Sequence, residues 1–234
     1  MNRNFYPYSR NDAEFMGQMD RWRESHYDNM VCVDYANSTA TGLTAAHDGY
    51  HLNKEYGRKL IEQFGLWRVI KVVAYSVNQK SYDGRIAVKV KEWAKTQAKY
   101  GEGEALKDCV IDGNAGLLDI LAKQVMEYHK SLNLFDKTYC TNEQEYKGKV
   151  LIMRDDVLTE EYCKPESQLW YATGGFGCGA NSRGRAVFVK CLSDGEETRF
   201  DREDFVGVIK NECLPDWAKD ALKKIKRKEQ DNER

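Results

Sequence analysis

A chain of 234 residues, 41% hydrophobic and 31% charged, has room for one large core or two small ones and is not composed like a disordered chain. Its formal net charge of −1 provides no global basic field, which leaves nucleic-acid binding only to a local patch. No run of about 18 apolar residues occurs, and Met1 to Arg10 is polar and aromatic, so neither a membrane span nor a secretory signal is expected. The cytoplasm is the expected compartment. Cys32, Cys109, Cys140, Cys163, Cys178, Cys191 and Cys213 are scattered, odd in number and without a Cys-x-x-Cys, a set that suits reduced thiols better than a disulfide framework or a zinc site. No metal and no cofactor is expected.

In chain order, Asn11 or Asp12 is placed to cap a helix through Ala13, Phe15, Met16, Met19 and Trp22, whose apolar side chains recur at three and four residues. Ser25 is placed to start a second, running through Met30, Val31 and Ala36 toward Gly42. Asp48-Gly49 signals a turn. Asn53 then caps a helix to Phe64, with Gly65 as its stop. The stretch from Leu66 to Val77 has the β-branched content of a strand, but its apolar residues at 66, 69, 70, 73 and 77 fit the helical period better. Asp83-Gly84 forms another turn, Val88 to Lys99 a helix that buries Trp93, and Gly113 to Leu132 a further helix with Leu117, Leu118, Leu121, Val125, Met126 and Tyr128 near one side.

From Tyr146 the pattern changes to short β segments divided by glycine turns. Lys149 to Met153, Gln168 to Thr173, Arg185 to Leu192, Glu197 to Phe200 and Phe205 to Ile209 are the strand candidates, with Asp194-Gly195 a hairpin signal. Pro215 opens a terminal amphipathic helix carrying Trp217, Leu222 and Ile225. The predicted class is α+β: a helical N-terminal domain over residues 1–135, a linker over 136–145, and over 146–234 a small antiparallel β-barrel-like, SH3-like module with a terminal helix.

Tyr8-Ser9-Arg10-x-x-Ala13, Trp22-Arg23-x-Ser25-x-x-x-Asn29-x-x-Cys32, Asp48-Gly49-x-x-Leu52, Gly65-x-x-Arg68-Val69, Asp83-Gly84-Arg85 and Trp93-Ala94 together resemble the family known as domain of unknown function 3849, met in bacteriophages and conjugative elements. Gly17-Gln18 stands where that family usually has Gly-Glu, and Ile86-Ala87 where Phe-Ser is usual. The segment from Gln168 to Cys178, with Leu192 to Glu196, looks like a module that accompanies the family on mobile elements. The resemblance implies an accessory protein of such an element, of the counter-defence or regulatory kind, and no particular reaction.

The most unusual feature is the glycine-rich stretch from Thr173 to Arg185. Gly175, Phe176, Gly177 and Cys178, with Arg183 and Arg185, are candidate binding residues, because converging backbone N–H groups and guanidinium groups suit a phosphate or carboxylate. It is no P-loop, since the Lys-Ser/Thr ending is missing and a strand follows. The same glycines also suit a long hairpin loop. Cys178 as a nucleophile would need a base, and His26, His47, His51 and His129 all lie in the other half. No catalytic residue is therefore assigned. Arg23 and Arg85 are further candidates for anion contact, with helix bridging as their structural alternative. Lys223, Lys224, Lys226, Arg227 and Lys228 form a basic helix end, read either as a solvated terminus or as a nucleic-acid contact.

These features predict a noncatalytic binding protein of a phage or conjugative element that modulates a host defence or nucleic-acid process, with a host or phage protein as the first partner expected. The rival readings are an enzyme acting on a nucleotide or small phosphate at the glycine-rich loop, and a structural virion or scaffold component.

Overall fold

The computed structural model describes residues 5–38, 40–48, 51–97, 105–181 and 183–232, the side chains of 228–232 excepted. The chain divides into two compact units, Met1–Ser131 and Leu132–Arg234.

The first unit is helical: α1 (Arg10–Phe15), α2 (Met19–Asn37), α3 (Tyr56–Phe64), α4 (Leu66–Gln79), α5 (Val88–Gln97) and α6 (Ala115–Ser131). Its entry differs from the sequence reading. The expected helix from Asn11 or Asp12 to Trp22 stops at Phe15, with Met16 as its C-cap, because Gly17 takes φ +67°, a left-handed conformation that glycine adopts without a Cβ penalty. Trp22 and Ser25 then share the single long α2. The N-cap of α1 is Ser9, whose Oγ accepts from Asp12 N at 3.2 Å. His51 N donates to Asp48 Oδ1 at 2.8 Å, so a tight turn forms at Asp48, although Gly49 lies outside the described residues. Trp93 on α5 is half-buried, and Val90 and Ala94 make the fully buried face. Lys99 lies outside the described residues.

The α4 helix is the centre of this unit and packs against α2, α3, α5 and α6. Eleven of its fourteen residues are buried, among them Leu66, Val69, Ile70, Val72, Val73 and Val77, as expected of a helix that is apolar on nearly all sides. Three of its polar side chains are used on neighbouring backbone. Lys71 Nζ donates to Gln97 O at the end of α5 at 2.8 Å, Asn78 Nδ2 to Ala94 O at 3.1 Å, and Ser76 Oγ accepts from Ile111 N at 2.9 Å. Just past the helix, Lys80 Nζ donates to Ile111 O at 2.8 Å and Gly113 O at 3.0 Å. The backbone of Ile111 and Gly113, just before α6, is thus satisfied by side chains of α4 and Lys80.

Arg68 is fully buried. Its Nη1 donates to Phe64 O at 2.8 Å, its Nε to Asn29 Oδ1 at 3.1 Å, and its Nη2 reaches Asp28 Oδ2 at 3.4 Å. Around this guanidinium, Asn29 Nδ2 contacts Ala105 O at 3.4 Å, His26 Nδ1 lies 2.7 Å from the same carbonyl, and Ser25 Oγ accepts from Tyr6 N at 3.0 Å. Ser25, Asn29 and Arg68 all belong to the motifs quoted above, and here they hold α2, α4 and the N-terminal segment together.

The second unit is an antiparallel sheet, β1 (Val150–Met153), β2 (Leu169–Gly174), β3 (Ala186–Cys191), β4 (Glu197–Asp201) and β5 (Phe205–Val208), in the order β4-β3-β2-β1-β5, followed by α7 (Asp216–Asn232). β1 and the first four residues of β2 are buried on both faces, so they read as continuous apolar runs, whereas β3 has one face buried and alternates. One face packs Leu151, Met153, Trp170, Val187, Val189 and Phe205; the other packs Ile152, Leu169, Tyr171 and Ile209 with Ala218 of α7 and its neighbours Ala221, Leu222 and Ile225.

The expected barrel-like module is an open sheet, with β4 and β5 as its two edges. It is nevertheless strongly coiled. Edges of a flat five-stranded sheet would lie roughly 19 Å apart, yet only the 3₁₀ turn Arg202–Asp204 joins β4 to β5, a span of at most about 14 Å. Register shifts at Ile152/Met153 and at Ala172/Gly174 provide the bending, and the rings of Phe200 and Phe205 meet edge to face at 6.1 Å. Asp201 and Asp204 close the turn with a capping box, and Arg154 N donates to Asp204 O at 2.8 Å. The segment read as a linker is tied into this unit: Cys140 bridges to Ile209, and just before it Phe135 N and O bond to the Gln168 amide at 2.6 and 3.0 Å.

Candidate functional site

The glycine-rich loop gathers Gly175, Phe176, Gly177, Cys178, Arg183 and Arg185 between β2 and β3, and its carbonyls are used internally. Arg202 Nη1 donates to Gly177 O at 2.7 Å and Cys178 O at 3.2 Å, while Nη2 donates to Gln144 O at 2.6 Å. The same guanidinium stacks 3.9 Å from the centre of the Tyr146 ring. Donors are used too: Cys178 N is bonded to Gly175 O, and Ala180 N donates to the Glu145 carboxylate at 3.1 Å. A Cβ on Gly177 would run into Arg185 O, so the close passage of the two backbone segments requires glycine there.

Cys178 is buried, and its Sγ lies 3.0 Å from Gly174 O, to which the thiol donates. Burial pushes this thiol up, with Arg202 opposing, the direction that disfavours a nucleophilic thiolate. Burial likewise raises Cys32 and Cys163 to about 12 and Cys109 to about 11. Phe176 projects to solvent, 81% exposed. Arg185 pairs with Glu203 at 3.1 Å, whereas Arg183 is exposed and has no ion pair among the described residues. Ser182 lies outside them.

Arg23 and Arg85 belong to the other unit. Arg23 sits on the exposed side of α2 and pairs with Asp20 at 3.2 Å. Arg85 is held by Asp83, whose carboxylate accepts from its backbone N at 2.9 Å, Nε at 3.0 Å and Nη2 at 2.7 Å; Nη1 reaches Asn114 Oδ1 at 3.4 Å. The hydrogen bonds from Arg85 lower the Asp83 carboxyl from its ordinary 3.8 to about 2. A carboxyl whose pKa is lower in the folded state contributes stability above its unfolded value and loses it as pH falls through the folded one. The contribution of Asp83 is therefore present above about pH 4 and disappears towards pH 2. A carbon-detected NMR titration checks this: Asp83 should titrate near 2 in the wild type and move towards 3.8 in Arg85→Ala, and an unchanged midpoint in the variant would refute the assignment.

At the helix end, Lys223 pairs with Asp220 at 3.1 Å, Lys224, Lys226 and Arg227 are exposed, and the Lys228 side chain lies outside the described residues. Among the described residues, no group of three or more His, Cys, Asp or Glu side chains is placed to hold a metal ion, and no helix is long and apolar enough to cross a membrane.

Sequence reasoning passed over a cleft in the second unit, of about 270 Å³, between the loop after β1 and the β3–β4 hairpin. Its floor is apolar: Met153, Trp170 and Phe200, with Val157 and Leu158 on the loop side. Trp170 and Phe200 stand edge to face at 5.2 Å, and Trp170 is fixed by its Nε1–H donating to Ser167 O at 2.8 Å. Tyr162, 48% exposed, forms part of the wall. The charged residues lining the cleft are Glu161, Asp194 and Glu196, all acidic. A second hollow, of about 510 Å³ and shallower in charge contrast, lies between α7 and the same hairpin and carries Lys190, Lys224, Asp194 and Asp220. The signal for the first cleft was present in the acidic and aromatic loop Asp155 to Glu166, but that loop has no periodicity to place it.

The family model described as a protein of unknown function (DUF3849) matches residues 5–130, more than half of the chain. The chain belongs to this family. Its helical unit is thus the family domain, and the motif residues Ser25, Asn29 and Arg68 are the buried polar network of that domain. No curated protein and no solved structure matches the chain.

Proposed function

We propose that this member of the family is a noncatalytic, cytoplasmic binding protein of a phage or conjugative element, and that it modulates a host defence or nucleic-acid process by holding a protein partner. The C-terminal unit is, on this reading, an SH3-like module whose recognition site is the cleft above Trp170 and Phe200. The observation that carries the reading is the combination in that cleft of an aromatic floor with exposed carboxylates around it, the usual form of a recognition pocket. The strand order and the three-residue link between β4 and β5 support the SH3-like assignment; the family resemblance supports the mobile-element setting. The raised thiol of Cys178 and the internal use of its loop weigh against the enzyme reading.

The test is site-specific photo-cross-linking in the host with the full chain. A cross-linking residue at Tyr162, at the cleft wall, should trap one defined protein, competed by excess unmodified chain, while the same residue at exposed Glu212 should not. Trapping of nucleic acid alone from Lys226, with nothing from Tyr162, would transfer the function to the basic helix end.

A further inference from the structure

We propose that the occupant of the cleft is an arginine- or lysine-bearing peptide segment, whose aliphatic stem lies on Trp170 and Phe200 and whose cation is held by the carboxylates of Glu161, Asp194 and Glu196. This rests on the reading of the cleft as a protein-recognition site and names what that site selects. The argument is one of matched chemistry. A long cationic side chain is apolar along its stem and charged at its tip, and the cleft repeats that order, with an aromatic floor and a rim that carries three carboxylates and no cation.

The carboxylates have few competing engagements. Asp194 Oδ1 accepts only a backbone bond, from Glu196 N at 2.9 Å, and Glu161 and Glu196 form no ion pair among the described residues. By contrast the nearest lysine on the hairpin, Lys190, is drawn to the other face by Glu197 at 2.6 Å, so the rim is not neutralised from within. The aromatic floor adds a second attraction, because a cation within about 6 Å of a ring centroid is drawn to its face. An acidic segment would meet like charge, and a purely apolar one would leave three carboxylates partly desolvated without a partner. Electrostatic complementarity of this kind sets partner choice more than total affinity. The second hollow, with two lysines and two aspartates, offers no such discrimination.

The probe is a phage-displayed library of random twelve-residue peptides selected on the immobilised full chain, with hits remeasured as synthetic peptides by isothermal titration. The expected result is enrichment of Arg or Lys flanked by apolar residues. Binding of the hits should weaken about tenfold or more in Glu161→Lys/Glu196→Lys, and as salt is raised from 50 to 500 mM, as screening of partly exposed charges requires. Both substitutions are at exposed positions, so folding is retained, and circular dichroism confirms it. Selected peptides that bind in the cleft without a basic residue, or that ignore the charge reversal, overturn this inference and leave the recognition site standing. Failure to select any peptide competed by blocking Tyr162 overturns both.

Discussion

Replacing Arg68 by Ala is expected to cost the N-terminal unit about 3–5 kcal/mol, because removing one partner of a buried ion pair leaves the other charge unpaired in a medium that solvates it poorly. Arg68 is fully buried and the Asp28 side chain is 8% exposed, so water cannot replace the guanidinium without opening the α2–α4 interface. Asn29 Oδ1 and Phe64 O lose their donor at the same time. Hydrogen exchange on peptides covering α2 and α4 reports this unit separately from the other. Protection there should collapse in Arg68→Ala and remain in β1 to β3. The double variant Arg68→Met/Asp28→Leu should recover much of the loss, since an apolar pair of similar volume avoids the orphaned charge. A single variant as protected as the wild type would show that the network contributes little.

The second large effect is expected at Arg202. Its guanidinium donates to Gly177 O, Cys178 O and Gln144 O and lies on Tyr146, so it joins the glycine-rich loop to the segment before β1. Arg202→Ala removes these charge-assisted hydrogen bonds, a longer one to Gly179 O at 3.5 Å and a cation–π contact, for an expected loss of about 2–4 kcal/mol in this unit. Arg202→Lys should restore less than half of it, since an ammonium is a point charge and cannot span carbonyls that a planar fork reaches together. Urea denaturation followed at the exchange of β2 and β3 amides measures both. A change below about 0.5 kcal/mol for Arg202→Ala, the range of an ordinary surface substitution, would contradict this account.

Where a segment's structure is set by its own pattern, the sequence was legible. The α4 helix is read correctly against its β-branched content because its apolar positions recur at helical spacing, and the five strands fall within a residue or two of their expected limits. The break at Gly17 was not legible. The apolar positions 13, 15, 16, 19 and 22 fit one continuous helix, and only the left-handed turn at Gly17 divides them. Long-range features were equally hidden. Nothing near Gly177 announces that Arg202 will occupy its carbonyl, and nothing in the loop after β1 shows that Tyr162 will face Trp170, Asp194 and Phe200. The missing barrel closure has a similar origin: strand lengths and turns can be read locally, whereas hydrogen bonding between β4 and β5 depends on how far the sheet coils.

The position of β1 between β2 and β5 bears on how this unit emerges during synthesis. All four of its residues are apolar and buried on both faces, and one of its hydrogen-bonding edges is filled only by Phe205–Val208, more than 50 residues later in the chain. A nascent chain that has reached β4 but not β5 therefore presents an unpaired, two-sided apolar strand, the kind of edge that recruits other chains. Its face that carries Val150 and Ile152 stays open until Ala218 and the rest of α7 arrive. The unit is thus made safe against aggregation only by its last thirty residues or so, and a ribosome that stalls between Asp201 and Ala218 leaves a product suited to chaperones or proteases and not to function.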